Sequence, residues 1–133
     1  MSIFINDALS IVEIKKQFHD QFNYLKIEFF SSKKTIPLTP HREILEENVI
    51  LKSISKGTEK VQFSINATNS VEDVEHLFKV NFEADVQIMR HSGNAWLMTT
   101  KTDKYTLQHQ NEIGKEMAAF LEKIEPDDIH EQE

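Results

Sequence analysis

Apolar residues recur at helical spacing in three stretches of this chain and alternate with polar ones in several others. Ile11, Ile14, Phe18 and Phe22 form the first helical stripe. It opens at Ser10, with Glu13 three positions on. That is a capping box: the serine hydroxyl accepts from the Glu13 amide, and the glutamate reaches back to the amide of Ser10. The spacing predicts a helix over about 10–22. Asn69 and Ser70 are two possible caps for a second helix, whose stripe is Val71, Val74, Leu77 and Phe78 up to about Val80. From Leu107 the pattern is helical again, through Ile113, Met117, Phe120, Leu121 and Ile124, and Pro126 is expected to end it. Gly114 interrupts this last stripe at a cost of about 1 kcal/mol relative to alanine, which close approach of another backbone would explain.

Residues 24–30 alternate, with Leu25, Ile27 and Phe29 on one side and Tyr24, Lys26, Glu28 and Phe30 on the other, and predict a strand. Residues 49–54 and 61–65 read as a hairpin, with Gly57 supplying a left-handed turn position. Residues 86–90 and 95–100 read as another, joined through His91-Ser92-Gly93-Asn94. The apolar piece Ile3-Phe4-Ile5 fits an edge strand, a helical turn or a hydrophobic arm. Residues 31–45, with Pro37 and Pro40, read as an exposed connection holding one short helical turn after Thr39-Pro40. Residues 102–106 form a polar turn in which Asp103 and Thr106 are candidate caps for the last helix.

These elements predict one α+β domain over 1–124, with a mainly antiparallel sheet of about five strands and three helices packed mostly on one face. Residues 125–133 are expected to form an acidic tail outside it. No internal repeat is evident. Phe18, Leu25, Ile27, Phe63, Leu77, Phe78, Val86, Ile88 and Leu97 are the expected core. Several strands carry apolar residues on both faces, Phe30 and Ile54 among them, as do Ala95, Leu97 and Met98 around Trp96. A second covering layer is therefore expected, either the last helix or another copy of the chain.

Composition narrows the function. With 39% hydrophobic and 28% charged residues, the chain is ordinary for a soluble globular protein. No apolar run is long enough to span a membrane, and the first residues lack the pattern of a signal peptide, so a cytoplasmic location is expected. There is no cysteine, which removes disulfides, thiol catalysis and cysteine-ligated metals. The net charge of −7 is concentrated at the end. Residues 125–133 hold Glu125, Asp127, Asp128, Glu131 and Glu133 and no lysine or arginine, so the body is nearly neutral. Lys15-Lys16 and Lys33-Lys34 do not make a basic stripe, and nucleic acid is not an expected partner.

Catalytic spacing is absent. His19, His41, His76, His91, His109 and His130 form no HxH, HExxH or HxxxH pattern. Glu46-Glu47, Glu72/Glu75 and Asp127-Asp128 are neighbours on one face or in the tail, not carboxylates placed across a cleft. No GxSxG elbow and no glycine-rich phosphate loop occurs among three glycines. No metal or cofactor is expected.

One region is dense in hydrogen-bonding and aromatic side chains: Arg90, Trp96, Asp103, Tyr105, Gln110 and Asn111. Arg90 offers a planar fork for a carboxylate or phosphate, and Trp96 a flat apolar surface with one donor. The same residues suit a purely structural role, in which Asp103 caps the helix and Gln110 and Asn111 hold the preceding turn.

The block RHSGNAWLMTTKTDKYTLQHQN resembles a segment that recurs in small bacterial proteins of uncharacterised function. There an Arg-x-Ser-Gly turn precedes a tryptophan strand and a Thr-Asp-x-aromatic-Thr-Leu-x-x-Gln-Asn run. The likeness covers residues 84–111, with a weaker echo in 24–30. It implies a compact stand-alone bacterial domain and brings no activity, ligand or partner. Two readings follow. One is a non-enzymatic interaction domain that self-associates as a homodimer or binds another protein. The other is a binder of small anionic molecules, or an enzyme, using a pocket around Arg90, Trp96 and Tyr105.

Overall fold

The computed structural model of the chain describes residues 2–32 and 43–123. The elements are β1 (Ser2–Asn6), α1 (Ile11–Gln21), β2 (Leu25–Ser31), a 3-10 turn (Leu51–Ile54), β3 (Gln62–Asn66), α2 (Val71–Asn81), β4 (Ala84–Ser92), β5 (Ala95–Met98), a second 3-10 turn (Thr100–Thr102) and α3 (Leu107–Glu122). The helical turn expected after Thr39-Pro40, the stop at Pro126, the acidic tail, Ile124, His41 and His130 lie outside the described residues.

The α+β class is as expected, but the single five-stranded sheet is not formed. There are two antiparallel sheets, β1-β3 and β2-β4-β5. The cause lies at residues 49–54, which are not a strand. Leu51 donates its amide to the Leu9 carbonyl and Lys52 to that of Asp7, and Ser53 closes back on Ile50. These bonds pin the segment against the turn between β1 and α1, where Leu51 is fully buried. Without a hairpin partner, β3 satisfies its backbone groups on β1 instead, which makes Ile3-Phe4-Ile5 a strand. Gly57 needs no left-handed conformation. Among the described residues the one positive φ is that of Gly93 at +60°. It sits in the two-residue loop between Ser92 and Ala95, where a positive φ at the first position alone fits a type II′ hairpin.

The predicted capping box at Ser10 forms, and a second box opens α2, where the sequence pattern offered two possible caps. The Ser10 hydroxyl accepts from the Glu13 amide at 3.4 Å, and Glu13 Oε1 accepts from the Ser10 amide at 3.3 Å. Ser70, not Asn69, caps α2, paired in the same way with Asp73 at 3.1 and 3.0 Å. The stripes Ile11-Ile14-Phe18 and Val71-Val74-Phe78 are buried, and Phe78 packs edge-on against Phe29 and Phe63 at ring distances of 5.2 and 5.3 Å. Burying each such side chain stabilises by about 1.5–3 kcal/mol. Three expected core positions differ. Phe63 and Leu77 are only partly buried, and Leu97 is 45% exposed because β5 is an edge strand.

The fold contains the repeat that the linear pattern did not reveal. At one constant spacing, Ile5, Asn6, Ser10, Phe18 and Phe22 recur as Ile65, Asn66, Ser70, Phe78 and Phe82, and Ile11, Glu13 and Ile14 as Val71, Asp73 and Val74. Each set builds a strand, a boxed eleven-residue helix and a second strand. The returning segment then clamps the start of its own helix with matching backbone bonds. Ile11 donates to Val49 and Val12 to Glu47; Val71 donates to Tyr105 and Glu72 to Asp103. Leu51 donates to Leu9 and Lys52 to Asp7; Leu107 donates to Asn69 and Gln108 to Ala67.

Strand register obeys the same symmetry. Exchanging the halves maps Ser2↔Asn66 onto Asn6↔Gln62 and leaves Phe4↔Ser64 in place. Past the helices the spacing falls by one, because Asn23 and Tyr24 precede β2 where Glu83 alone precedes β4; with that shift Leu25↔Arg90 maps onto Ser31↔Ala84 and Glu28↔Gln87 stays in place. The two halves are thus joined about a pseudo-twofold axis through these two central pairs.

Candidate functional site

The six candidate residues fall into three separate settings. Arg90, Gln110 and Asn111 meet where α3 crosses the start of β2 and the end of β4. Gln110 is fully buried and its amide is fully used. Its Oε1 accepts from Arg90 Nη1 at 2.6 Å, and its Nε2 donates to the Thr102 carbonyl at 2.7 Å and the Thr102 hydroxyl at 2.9 Å. Asn111 Oδ1 accepts from the Tyr24 amide at 2.9 Å. Gly114 lets this crossing be close: a Cβ there would stand 2.7 Å from Tyr24 Cβ and 3.3 Å from Arg90 Cγ. The close approach expected at Gly114 is present.

Asp103 and Tyr105 sit at the joint between α2 and α3 and act there through their backbones. Their carbonyls accept from Glu72 and Val71. The cap of α3 is Thr106, whose hydroxyl accepts from the His109 amide at 3.1 Å, so Asp103 is not the cap. The Tyr105 ring is 43% exposed and packs edge-on against His109 at 4.8 Å.

Trp96 belongs to the sheet surface. It pairs with His91 across the hairpin, and their rings meet at 5.0 Å. Lys26 Nζ lies 4.9 Å from the tryptophan ring centre and the His19 ring 6.3 Å away. Lys26, Met89 and Met98 form one row across this sheet. A cation over an indole contributes about 0.5–1 kcal/mol at a wet site. Alternation in β2 already put Lys26 opposite the core side, but nothing in the linear pattern pointed to His19.

The symmetry of the fold explains much of the cluster. Asp103 and Tyr105 stand where Glu47 and Val49 stand in the first half, and all four accept the matching bonds. Gln110 and Asn111 follow Leu107 as Ile54 and Ser55 follow Leu51. Ser55 bridges Phe82 and Glu83 donates to the Ile54 carbonyl, while at the corresponding joint of the second half Tyr24 donates to the Asn111 side chain.

A tie missed by the sequence reading is ionic. Lys15 Nζ binds Glu28 Oε1 at 2.9 Å and Glu47 Oε1 at 3.1 Å, fastening α1 to β2 and to the returning segment. Burial works to lower the lysine pKa, but the bonds to Glu28 and Glu47 and their charges outweigh it and hold it above its ordinary value.

Three surface clefts lie elsewhere. One of about 580 Å³ runs beside residues 56–63 and the end of α2. One of about 510 Å³ lies along β1 and β3 beside Phe4. One of about 460 Å³ opens between α2 and β4, lined by Glu75, Asp85 and Asp103. None of the three takes in Arg90, Trp96 or Tyr105. Among the described residues no group of three His, Asp or Glu is gathered to hold a metal ion, and no helix is long and apolar enough to cross a membrane. Comparison of the chain with known protein families, curated protein sequences and solved structures finds no match.

Proposed function

We propose that this chain is a non-enzymatic interaction domain that binds a protein surface, in the first instance that of a second copy of itself, where β5 meets the end of α3. The observation that carries this reading is the apolar surface left open there. Leu97 is 45% exposed and Phe120 59%, with Met117 and Leu121 about two-fifths exposed. Leu97 lies on the face of the sheet that α3 covers, the face of Arg90, while Met98 points to the other face. α3 runs along β4, with Gly114 at Arg90 and Leu121 within 3.5 Å of a Cβ built on Gly93. Leu97 pairs with Arg90 in the adjacent strand. A set of large apolar side chains concentrated at one end of a small domain is the signature of an interface.

The polar candidates support the same reading. Arg90, Gln110 and Asn111 spend hydrogen bonds on one another, on Thr102 and on Tyr24, so the fork on Arg90 already has a partner within the fold. Light scattering over a concentration series tests the proposal. The wild-type chain is expected to associate, and Phe120→Glu with Leu121→Glu to hold it monomeric at an unchanged melting temperature. A wild type that stays monomeric at every concentration, or an association indifferent to both substitutions, would overturn it.

A further inference from the structure

The two halves are related by the pseudo-twofold axis, and each closes on itself. Within the first half, the returning segment locks the start of α1 through the amides of Ile11, Val12, Leu51 and Lys52. Within the second, the amides of Val71, Glu72, Leu107 and Gln108 do the same for α2. Between the halves run the two antiparallel strand pairings, β1 with β3 and β2 with β4. The covalent connection is short and lies on the surface: Lys56 through Lys60 are all exposed. Each of these pairings joins one strand of the first half to one strand of the second, so it can be made with the second half of the same chain or of another.

We infer that the surface each half presents to the other is a protein–protein interface in its own right, whose partner is the opposite half of a second copy of this chain. In such a pair the first half of one molecule seats on the second half of another, and every backbone bond of the intact fold is made again. Lys56 keeps its bond to an Asn81 carbonyl, and only the course of residues 57–60 changes. This exchange leaves the β5–α3 surface untouched and does not rest on the role proposed for it.

Complementation between two full-length chains tests the inference. Ile14→Asp places an unpaired charge in the core of the first half, and Val74→Asp does so at the equivalent position of the second; both side chains are fully buried. Each variant alone is expected to lose its cooperative thermal transition. Refolded together from urea at equal concentration, they are expected to recover a transition near the wild-type temperature. Its amplitude should be about half the native one, since one of the two globules in each exchanged pair has two intact halves. Native mass spectrometry should show the mixed dimer. Where one charge leaves a chain folded, Phe18→Asp or Phe78→Asp is added to the same half. A mixture that behaves as the sum of its two separate components, with no recovered transition and no mixed dimer, would overturn the inference.

Discussion

Replacing Gly114 by alanine sets two effects of opposite sign against each other. In an open helix interior the change stabilises by about 1 kcal/mol, through lower backbone entropy in the unfolded chain. Here the new methyl would stand 2.7 Å from Tyr24 Cβ, 3.3 Å from Arg90 Cγ and 3.4 Å from the Tyr24 carbonyl. Arg90 can yield by rotating. Tyr24 Cβ cannot, because it is bonded to a backbone fixed on both sides. The Tyr24 amide donates to Asn111 and its carbonyl accepts from His91, each at 2.9 Å. Overpacking a fitted site costs about 1–3 kcal/mol, and a backbone that has to move puts the cost in the upper part of that range. The net expectation is a loss of about 1–2 kcal/mol, or a fall in melting temperature of about 3–8 °C. Urea denaturation should show a lower midpoint at an unchanged slope. Lys115→Gly, at the exposed neighbouring position, gives the propensity effect alone and should cost about 1 kcal/mol. In a Tyr24→Gly background the obstructing carbon is gone, and Gly114→Ala should turn neutral or stabilising, a coupling of at least about 1 kcal/mol. A Gly114→Ala chain more stable than wild type would refute the close crossing of α3 over β2.

Gln110→Leu should cost about 1–3 kcal/mol in chemical denaturation, because Arg90 Nη1 and both Thr102 oxygens lose their partner inside the fold; an unchanged midpoint would show that water replaces the amide freely. Thr106→Ala should cost about 0.5–2 kcal/mol as the loss of the α3 cap, while Asp103→Ala, which keeps the carbonyl that serves Glu72, should stay within about 0.5 kcal/mol. The reverse order would restore Asp103 as the cap. Lys15 is more basic folded than unfolded, so its contribution is complete below the unfolded pKa of 10.5 and is lost as pH rises through the higher folded value. Wild type should therefore exceed Lys15→Met by about 0.5–1 kcal/mol near pH 8, and the gap should close in strongly alkaline solution. A gap independent of pH would mean that the lysine stem, not its charge, holds α1 to β2.

Legibility from sequence followed the range of the interaction. The three helices and the cap of α1 were readable, and the caps of α2 and α3 narrowed to two candidates each, because a cap and a 3.6-residue stripe are local: Ser10 with Glu13 and Ser70 with Asp73 each act within one turn. The strand at 24–30 and the turn at Gly93 were readable for the same reason. Strand pairing was not. Residues 49–54 carry strand-like side chains, yet the carbonyls of Leu9 and Asp7 offered their amides better partners than β3 did. Alternation does not record which distant backbone is nearest. The repeat was present in the sequence as a boxed helix with one phenylalanine inside it and one at its end, Phe18 and Phe22 in one half and Phe78 and Phe82 in the other. The halves agree mainly at positions that fold inward or cap, while their exposed positions differ, so similarity along the chain is sparse.

The density of polar residues at 90–111 was likewise visible, but its meaning depended on where α3 crosses. Only tertiary structure brought Gln110 between Arg90 and Thr102, put Asn111 under the Tyr24 amide and left Trp96 on the opposite sheet surface. The sequence by itself determined the three helices, the strand at 24–30 and the hairpin at Gly93, because those choices are made within a few residues of backbone. The pairing of the halves and the partners of Arg90 and Gln110 were decided only in the folded chain, because buried hydrogen-bonding groups take whatever partner the packing brings within reach.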